Sequence, residues 1–119
     1  MSTFCLTRFD WLEIDQDPLP QPLKTCIAGA GYVPDIKERV KALGIGGPLI
    51  LQREPWNPYD TYAIVVLSPT GQKLGYIPRS QNQALARSMD QGKSLRAVLT
   101  ALSAVHSGWP QIYLKVYGN

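Results

Sequence analysis

Glycine and proline punctuate this chain from end to end, ten of each in 119 residues, and they divide it into many short elements. The clearest local structure is a hairpin. Ala63 to Leu67 and Lys73 to Ile77 read as strands flanking Ser68-Pro69-Thr70-Gly71-Gln72, whose spacing and composition are those of a β-turn connection. Pro48 to Arg53 is a further apolar strand, and Leu95 to Val105 with Ile112 to Tyr117 read as a closing pair around His106-Ser107-Gly108-Trp109-Pro110. Thr25 to Ala30 reads as a buried strand ending in Gly29-Ala30-Gly31, where small residues let another backbone or a ligand approach closely.

Two short helices are expected between these strands. One begins at Asp35 as cap, with Glu38 reaching back, carries Ile36, Val40 and Leu43 as its apolar stripe, and stops at Gly44. The other starts with Ser80 as cap and Gln83 in the capping-box position, turns Ala84, Leu85 and Met89 inward, and ends at Gly92. Ahead of them, Thr3 to Ile14 reads as an extended arm and Asp17-Pro18-Leu19-Pro20-Gln21-Pro22 as an irregular, polyproline-like link. The expected organisation is therefore an arm and link over 1–23 and a barrel domain over 24–119, with no internal repeat. Strands in this number with two small helices make the class mainly β, best satisfied by a closed or nearly closed barrel that removes exposed edges. An open α+β sandwich is the alternative.

The length suits a single compact domain. With 45% hydrophobic and 18% charged residues, general disorder is excluded. A net charge of +3 and a pI near 9.0 fall short of proteins that coat nucleic acid electrostatically but permit a localised phosphate-binding face. Cys5 and Cys26 lack the second pair a zinc cluster needs, so they read as buried free thiols in an intracellular, cytoplasmic protein. Asp10, Glu13 and Asp15 interrupt the only apolar N-terminal stretch, so neither a signal peptide nor a membrane span is expected.

Residues that could carry catalysis do not assemble. His106 has neither a nucleophile nor an orienting carboxylate nearby in sequence. Pro34-Asp35-Ile36-Lys37 has pieces in common with metal-dependent nucleases, yet lacks the second carboxylate on a neighbouring strand and is better read as a helix start. Gly44-Ile45-Gly46-Gly47 precedes a strand, whereas phosphate-cradling loops follow one and open a helix. The expectation is a non-enzymatic module without metal or cofactor.

What remains is a concentration of aromatic side chains in or beside irregular segments: Tyr32, Trp56, Tyr59, Tyr62 and Tyr76, with Arg53 and Arg79 close by in sequence. Aromatic planes beside guanidinium groups are the apparatus of single-stranded nucleic-acid binding, in which bases stack and phosphates pair with Arg or Lys. Glu54-Pro55-Trp56-Asn57-Pro58-Tyr59-Asp60 is a loop stiffened by two prolines, which fix their own φ and restrict Glu54 and Asn57. From the residues alone, core packing is the better account of Trp56 and Tyr62, and a half-buried tyrosine anchored by its hydroxyl is an ordinary arrangement.

The order of these pieces resembles the HIRAN domain. The resemblance rests on Leu51-Gln52-Arg53, then Asn57-Pro58-Tyr59-Asp60, two variable residues and Ala63-Ile64, then Gly71, Gly75-Tyr76-Ile77-Pro78, and a helix containing Ala84-Leu85-Ala86. It covers about Thr25 to Gly118. It implies an OB-like β-barrel with two helices, of the free-standing bacterial kind rather than the kind fused to SWI/SNF-type fork-remodelling helicases. It also implies DNA as the partner, with binding of single-stranded 3′ ends. Tyr32 and Tyr59 would then stack on the terminal base, Asp60 would accept a hydrogen bond from the 3′-hydroxyl, and Asn57 would contact the terminal nucleotide or the loop backbone. Tyr76 and Arg79, with Arg53 and Trp56, complete the expected DNA-binding set, Arg79 as a phosphate contact.

Two departures from the helicase-borne members stand out: Gly31 replaces a basic residue before the stacking tyrosine, and the helix from Asp35 to Leu43 lengthens the segment before the Pro48 strand. The role this implies is in repair or replication, beside a helicase or nuclease partner. The competing expectation is an adaptor barrel whose Trp56, Tyr59 and Tyr62 grip a protein. A small metal-dependent nuclease comes third.

Overall fold

The structure, a computed structural model, describes residues 22–104 and 110–118. The expected N-terminal arm, most of its proline-rich link, Cys5 and the His106 turn lie outside the described residues. Among those described, the strands are β1 (Leu23–Cys26), β2 (Pro48–Arg53), β3 (Ile64–Leu67), β4 (Lys73–Tyr76), β5 (Leu95–Ala104) and β6 (Pro110–Gly118). The helices are α1 (Ile36–Lys41) and α2 (Arg79–Asp90), and a 3₁₀ turn spans Ala30–Tyr32. The strands form one antiparallel sheet in the order β1-β6-β5-β2-β3-β4.

The alternation of β6 explains how this sheet curls round a core. Ile112, Leu114 and Val116 are buried while Tyr113, Lys115 and Tyr117 face outward, the period of two that a one-sided sheet requires. Ile64, Val66, Leu74, Ile77 and Leu99 fill the same interior, and α2 adds Leu85 and Ala86 to it. No helix among the described residues is long and apolar enough to cross a membrane.

The two ends of the strand order meet. Beyond β1 the backbone stays extended through Ile27, whose N–H donates to the Ile112 carbonyl at 2.9 Å, and Ala28, which exchanges two hydrogen bonds with Tyr76 of β4 at 2.8 and 2.9 Å. This single bridge brings the outermost strands together and turns the sheet into a nearly closed barrel, which leaves fewer unpaired edge groups. Gly75 makes the approach possible, because a Cβ there would collide with the Ile27 side chain and stand 2.6 Å from the Ala28 carbonyl oxygen.

The expected strands and hairpin are present, with shifted ends. The first strand starts at Leu23 rather than Thr25 and leaves the sheet at Gly29, whose φ of 78° throws the chain into the 3₁₀ turn. In the β3–β4 hairpin, Gly71 takes a φ of 92° and its N–H donates to Ser68, as the five-residue connection requires. The first helix starts where expected, after Asp35, but without the expected side-chain cap, and the start of the second is corrected. Asp35 occupies the cap position with φ 59°, a left-handed conformation, and its side chain makes no capping bond. Ser80 is not a cap: Pro78, extended at φ −56° and ψ 141°, leads directly into a helix that begins at Arg79. On this helix Asn82, Leu85 and Ala86 are buried and Met89 is half-buried, while Ala84, expected inward, is exposed. The C-terminus of α2 is as expected. Gly92 adopts φ 88°, its N–H donates to Met89, and Lys93 N–H donates to Ser88, a Schellman closure.

Gly75→Ala should destabilise the domain by about 2–3 kcal/mol, because the methyl pushes apart the two backbones that close the barrel. Gly44→Ala, where an added Cβ meets nothing, should change stability by only a few tenths of that. Urea denaturation of both variants compares the two, and equal effects would remove closure as the reason for Gly75.

Candidate nucleic-acid interface

The segment between β2 and β3 is built from three consecutive turns. Asn57 N–H donates to Glu54 C=O at 3.0 Å, Asp60 N–H to Asn57 C=O at 3.4 Å, and Ala63 N–H to Asp60 C=O at 3.1 Å. Pro55 and Pro58 hold the second position of the first two turns, where their fixed φ is favourable. Trp56, Tyr59 and Tyr62 therefore recur at the third position of each. Two side chains tie the turns further: Asn57 Oδ1 accepts from Tyr59 N–H and Asp60 Oδ1 from Tyr62 N–H, both at 2.9 Å. These are Asx turns, which the aspartate and asparagine residues form from their own side chains.

This framework separates the three aromatics. Trp56 is 70% exposed and Tyr59 85% exposed; both project from the loop. Tyr62 is half-buried against the core, with the Arg87 guanidinium 5.8 Å from its ring centre. The packing account of Tyr62 holds, whereas that of Trp56 is corrected, since its turn points the indole away from the barrel. Tyr32, at the end of the 3₁₀ turn, is 94% exposed. Tyr32, Trp56 and Tyr59 are thus three large aromatic side chains left in water by a domain with a well-filled core.

Tyr76 joins the Tyr32 turn to the loop. Its backbone bonds Ala28, and its hydroxyl donates to Glu54 Oε1 at 2.8 Å, the same oxygen that accepts from Asn57 Nδ2 at 3.1 Å. Glu54, buried at the start of the loop, thus holds Asn57 and the barrel wall together. Lys73 lies over the outer part of this wall, its ammonium 4.6 Å from the Tyr76 ring centre.

Arg53 is fully committed within the protein. Its guanidinium donates to the carbonyls of Ala63 at 2.7 Å and Thr61 at 2.9 Å, and to both oxygens of Asp90 on α2 at 2.9 and 3.1 Å. It pins the end of the loop to the helix and holds the Asp90 carboxyl below the ordinary aspartate range. Arg79, by contrast, is largely exposed, with Nε 3.7 Å from Asp60 Oδ2.

Asp60 sits where the third turn, α2 and Arg79 meet. Its Oδ2 accepts from Asn82 Nδ2 at 2.8 Å. Burial pushes its carboxyl up, but the Asn82 amide, the Tyr62 N–H and the guanidinium groups of Arg79 and Arg53 together outweigh this and hold it below the usual value. The carboxylate is thus ionised and oriented throughout the physiological range. Its folded-state value is depressed, so the stability it contributes is complete above the ordinary aspartate value and is lost as pH falls through the folded one.

Glu54, Asn82 and Asp90 escaped the sequence reading. Asn82 carried a usable signal: it lies three and four residues before Leu85 and Ala86 and so shares their buried helix face, where an amide needs a partner. Glu54 gave none, because its burial depends on barrel closure. Among the described residues no three His, Cys, Asp or Glu side chains stand close enough to hold a metal ion. Eleven basic and five acidic side chains fall within residues 22–118, a net charge of +6 against +3 for the whole chain.

Asn82→Ala should raise the Asp60 carboxyl, since burial is then less opposed, and cost about 1–3 kcal/mol through the lost amide bond. A carbon-detected NMR titration of Asp60 in the variant and its parent reads the shift; an unmoved titration would mean that Asn82 does not support the carboxylate.

No functionally curated protein matches this sequence. Among solved structures, a protein from Lactobacillus plantarum is 33% identical, superposes with a TM-score of 0.65, and is matched over 82% of this chain and 99% of its own. The HIRAN domain of human HLTF superposes with a TM-score of 0.62 at 23% identity, over 82% of this chain and 76% of that one, which supports the OB-like fold. The HIRAN domain family model matches residues 22–119, so that the barrel, its Asn-Pro-Tyr-Asp loop and its Gly-Tyr-Ile strand belong together, and the chain is a member of the HIRAN domain family of DNA-binding modules.

Proposed function

We propose that this domain captures the 3′-hydroxyl end of single-stranded DNA. The observation that carries the reading is the pairing of exposed aromatics with a fixed carboxylate: Tyr32 and Tyr59 stand in solvent while Asp60, in the same loop as Tyr59, is held ionised by Asn82, Tyr62 N–H and Arg79. In this reading the terminal base stacks on Tyr32 and Tyr59, a contact worth about 1–3 kcal/mol per base. Asp60 accepts the 3′-hydroxyl proton as a hydrogen bond, and it repels a terminal phosphate, so that one carboxylate distinguishes the two end chemistries.

The surrounding residues take graded roles. Asn57 bonds within the loop through both its Oδ1 and Nδ2 and acts mainly by holding Tyr59 in place. Arg79, exposed beside Asp60, meets the phosphate that precedes the terminal nucleoside. Arg53, with its guanidinium engaged by Ala63, Thr61 and Asp90, positions the loop rather than touching DNA, and Tyr76 positions Glu54. Trp56 offers a further stacking surface. The module binds without catalysing a reaction, and it serves repair or replication by delivering ends to a helicase or nuclease.

Fluorescence anisotropy with short strands ending in a 3′-hydroxyl or a 3′-phosphate tests this. Tyr59→Ala should weaken hydroxyl-end binding by about 1–3 kcal/mol. Asp60→Asn should narrow the preference for the hydroxyl over the phosphate end. If the parent protein binds both ends equally, Asp60 does not read the terminus; if it binds neither, an aromatic protein-docking role takes its place.

A further inference from the structure

The outer face of β1, β6 and β5 carries features that the end site does not use. Lys24 of β1 stands directly opposite Lys115 of β6 in the antiparallel register, and like charges so placed destabilise a sheet. Neither these two strands nor β5 contains an aspartate or glutamate, so no carboxylate within the face neutralises them. On the same side of β6, Tyr113 and Tyr117 flank Lys115 at two-residue spacing, and Tyr113 is 40% exposed. Arg96 of β5 holds its guanidinium 5.4 Å from the Tyr117 ring centre. The face is thus a strip of alternating aromatic and basic groups.

A groove runs along it, lined by Lys24, Thr25, Gln81, Thr100, Tyr113 and Lys115. One wall is the first turn of α2, where the Thr25 hydroxyl bonds the Gln81 side-chain oxygen. The same turn carries Arg79 toward Asp60. Arg79, beside Asp60, and Gln81, in the groove lining, thus both belong to the first turn of α2.

We infer that this groove is the track for the single-stranded DNA behind the captured end, with Lys24 and Lys115 sharing a phosphate and Tyr113 offering a stacking plane to a base. An anionic strand supplies the negative charge that strands β1, β5 and β6 do not offer the Lys24–Lys115 pair among the described residues, and base stacking on tyrosine is indifferent to sequence. The inference rests on the end-binding reading for its direction, but its chemistry stands on the face alone.

The test compares 3′-hydroxyl strands of about 3 and about 12 nucleotides, below and within the usual span of an OB-type fold, on the full chain and on a Lys24→Gln, Lys115→Gln double variant. The parent should bind the longer strand more tightly. In the variant that advantage should shrink, and the slope of log K against log salt for the long strand should fall by about 0.7, the counterion release of the one single-strand phosphate the two lysines share, while short-strand binding is unchanged. Because removal of a like-charge pair relieves repulsion, the variant should melt no lower than the parent at low salt, which separates a lost contact from a lost fold. In a Cys5→Ser background, the long strand should also slow maleimide labelling of Cys26, which lines the same groove, and the short one should not. An unchanged slope and unprotected Cys26 would overturn the groove while leaving the end site standing. Lysine-dependent binding of the long strand with no preference for a 3′-hydroxyl would instead overturn the end site and keep the groove, and absence of binding to either strand would overturn both.

Discussion

The two hydrogen bonds between Ala28 and Tyr76 are the contact on which the remaining architecture depends. They join the outermost strands of the sheet and exist only because Gly75 leaves room for the crossing backbone. Once that seam is formed, the Tyr76 ring hangs on the barrel wall with its hydroxyl against Glu54, and Glu54 fixes Asn57. On the other side of the seam the chain turns at Gly29 and lifts Tyr32 into solvent. Closure of the barrel and shaping of the binding face are thus the same event, and a defect at Gly75 should reach both.

The loop itself shows how a short segment is made rigid without regular secondary structure. Two prolines, two Asx turns and an ion pair from Arg53 to Asp90 leave Trp56 and Tyr59 few ways to move. A platform fixed before its ligand arrives avoids the ordering cost that a mobile loop incurs on binding. The charges follow the same logic: Arg53 is consumed in holding the loop, whereas Arg79 remains outside, beside the Asp60 carboxylate. Positive charge is concentrated in the barrel, where residues 22–118 carry +6, which favours approach of an anionic strand.

Much of this was legible in the sequence, for identifiable reasons. Strand alternation in Ile112 to Tyr117, the Gly71 turn and the Gly92 helix stop are local signals, and each is where the pattern puts it. The resemblance to HIRAN domains correctly anticipated the OB-like barrel. The start of the first helix was legible at Asp35, but its capping bond was not, because the left-handed backbone there leaves the side chain without one; the start of the second was not legible, because Pro78 rather than Ser80 leads into the helix. Nor was the exposure of Trp56, since a tryptophan beside proline gives no indication of which way its turn faces. Glu54 and Asp90 gain their roles from residues 22 and 37 positions away, a coupling that no local pattern carries, and the shared use of Arg53 by loop and helix belongs to the same class.

The most direct test of the account is a two-dimensional NMR titration of the isotope-labelled chain with a short strand ending in a 3′-hydroxyl. Binding at the proposed site predicts that the Trp56 indole N–H and the backbone amides of Tyr32, residues 57–62 and Arg79 shift together and saturate at one stoichiometry, while those in the β3–β4 turn stay still. Shifts confined to other faces of the barrel, with Tyr32 and Tyr59 unmoved, would contradict it.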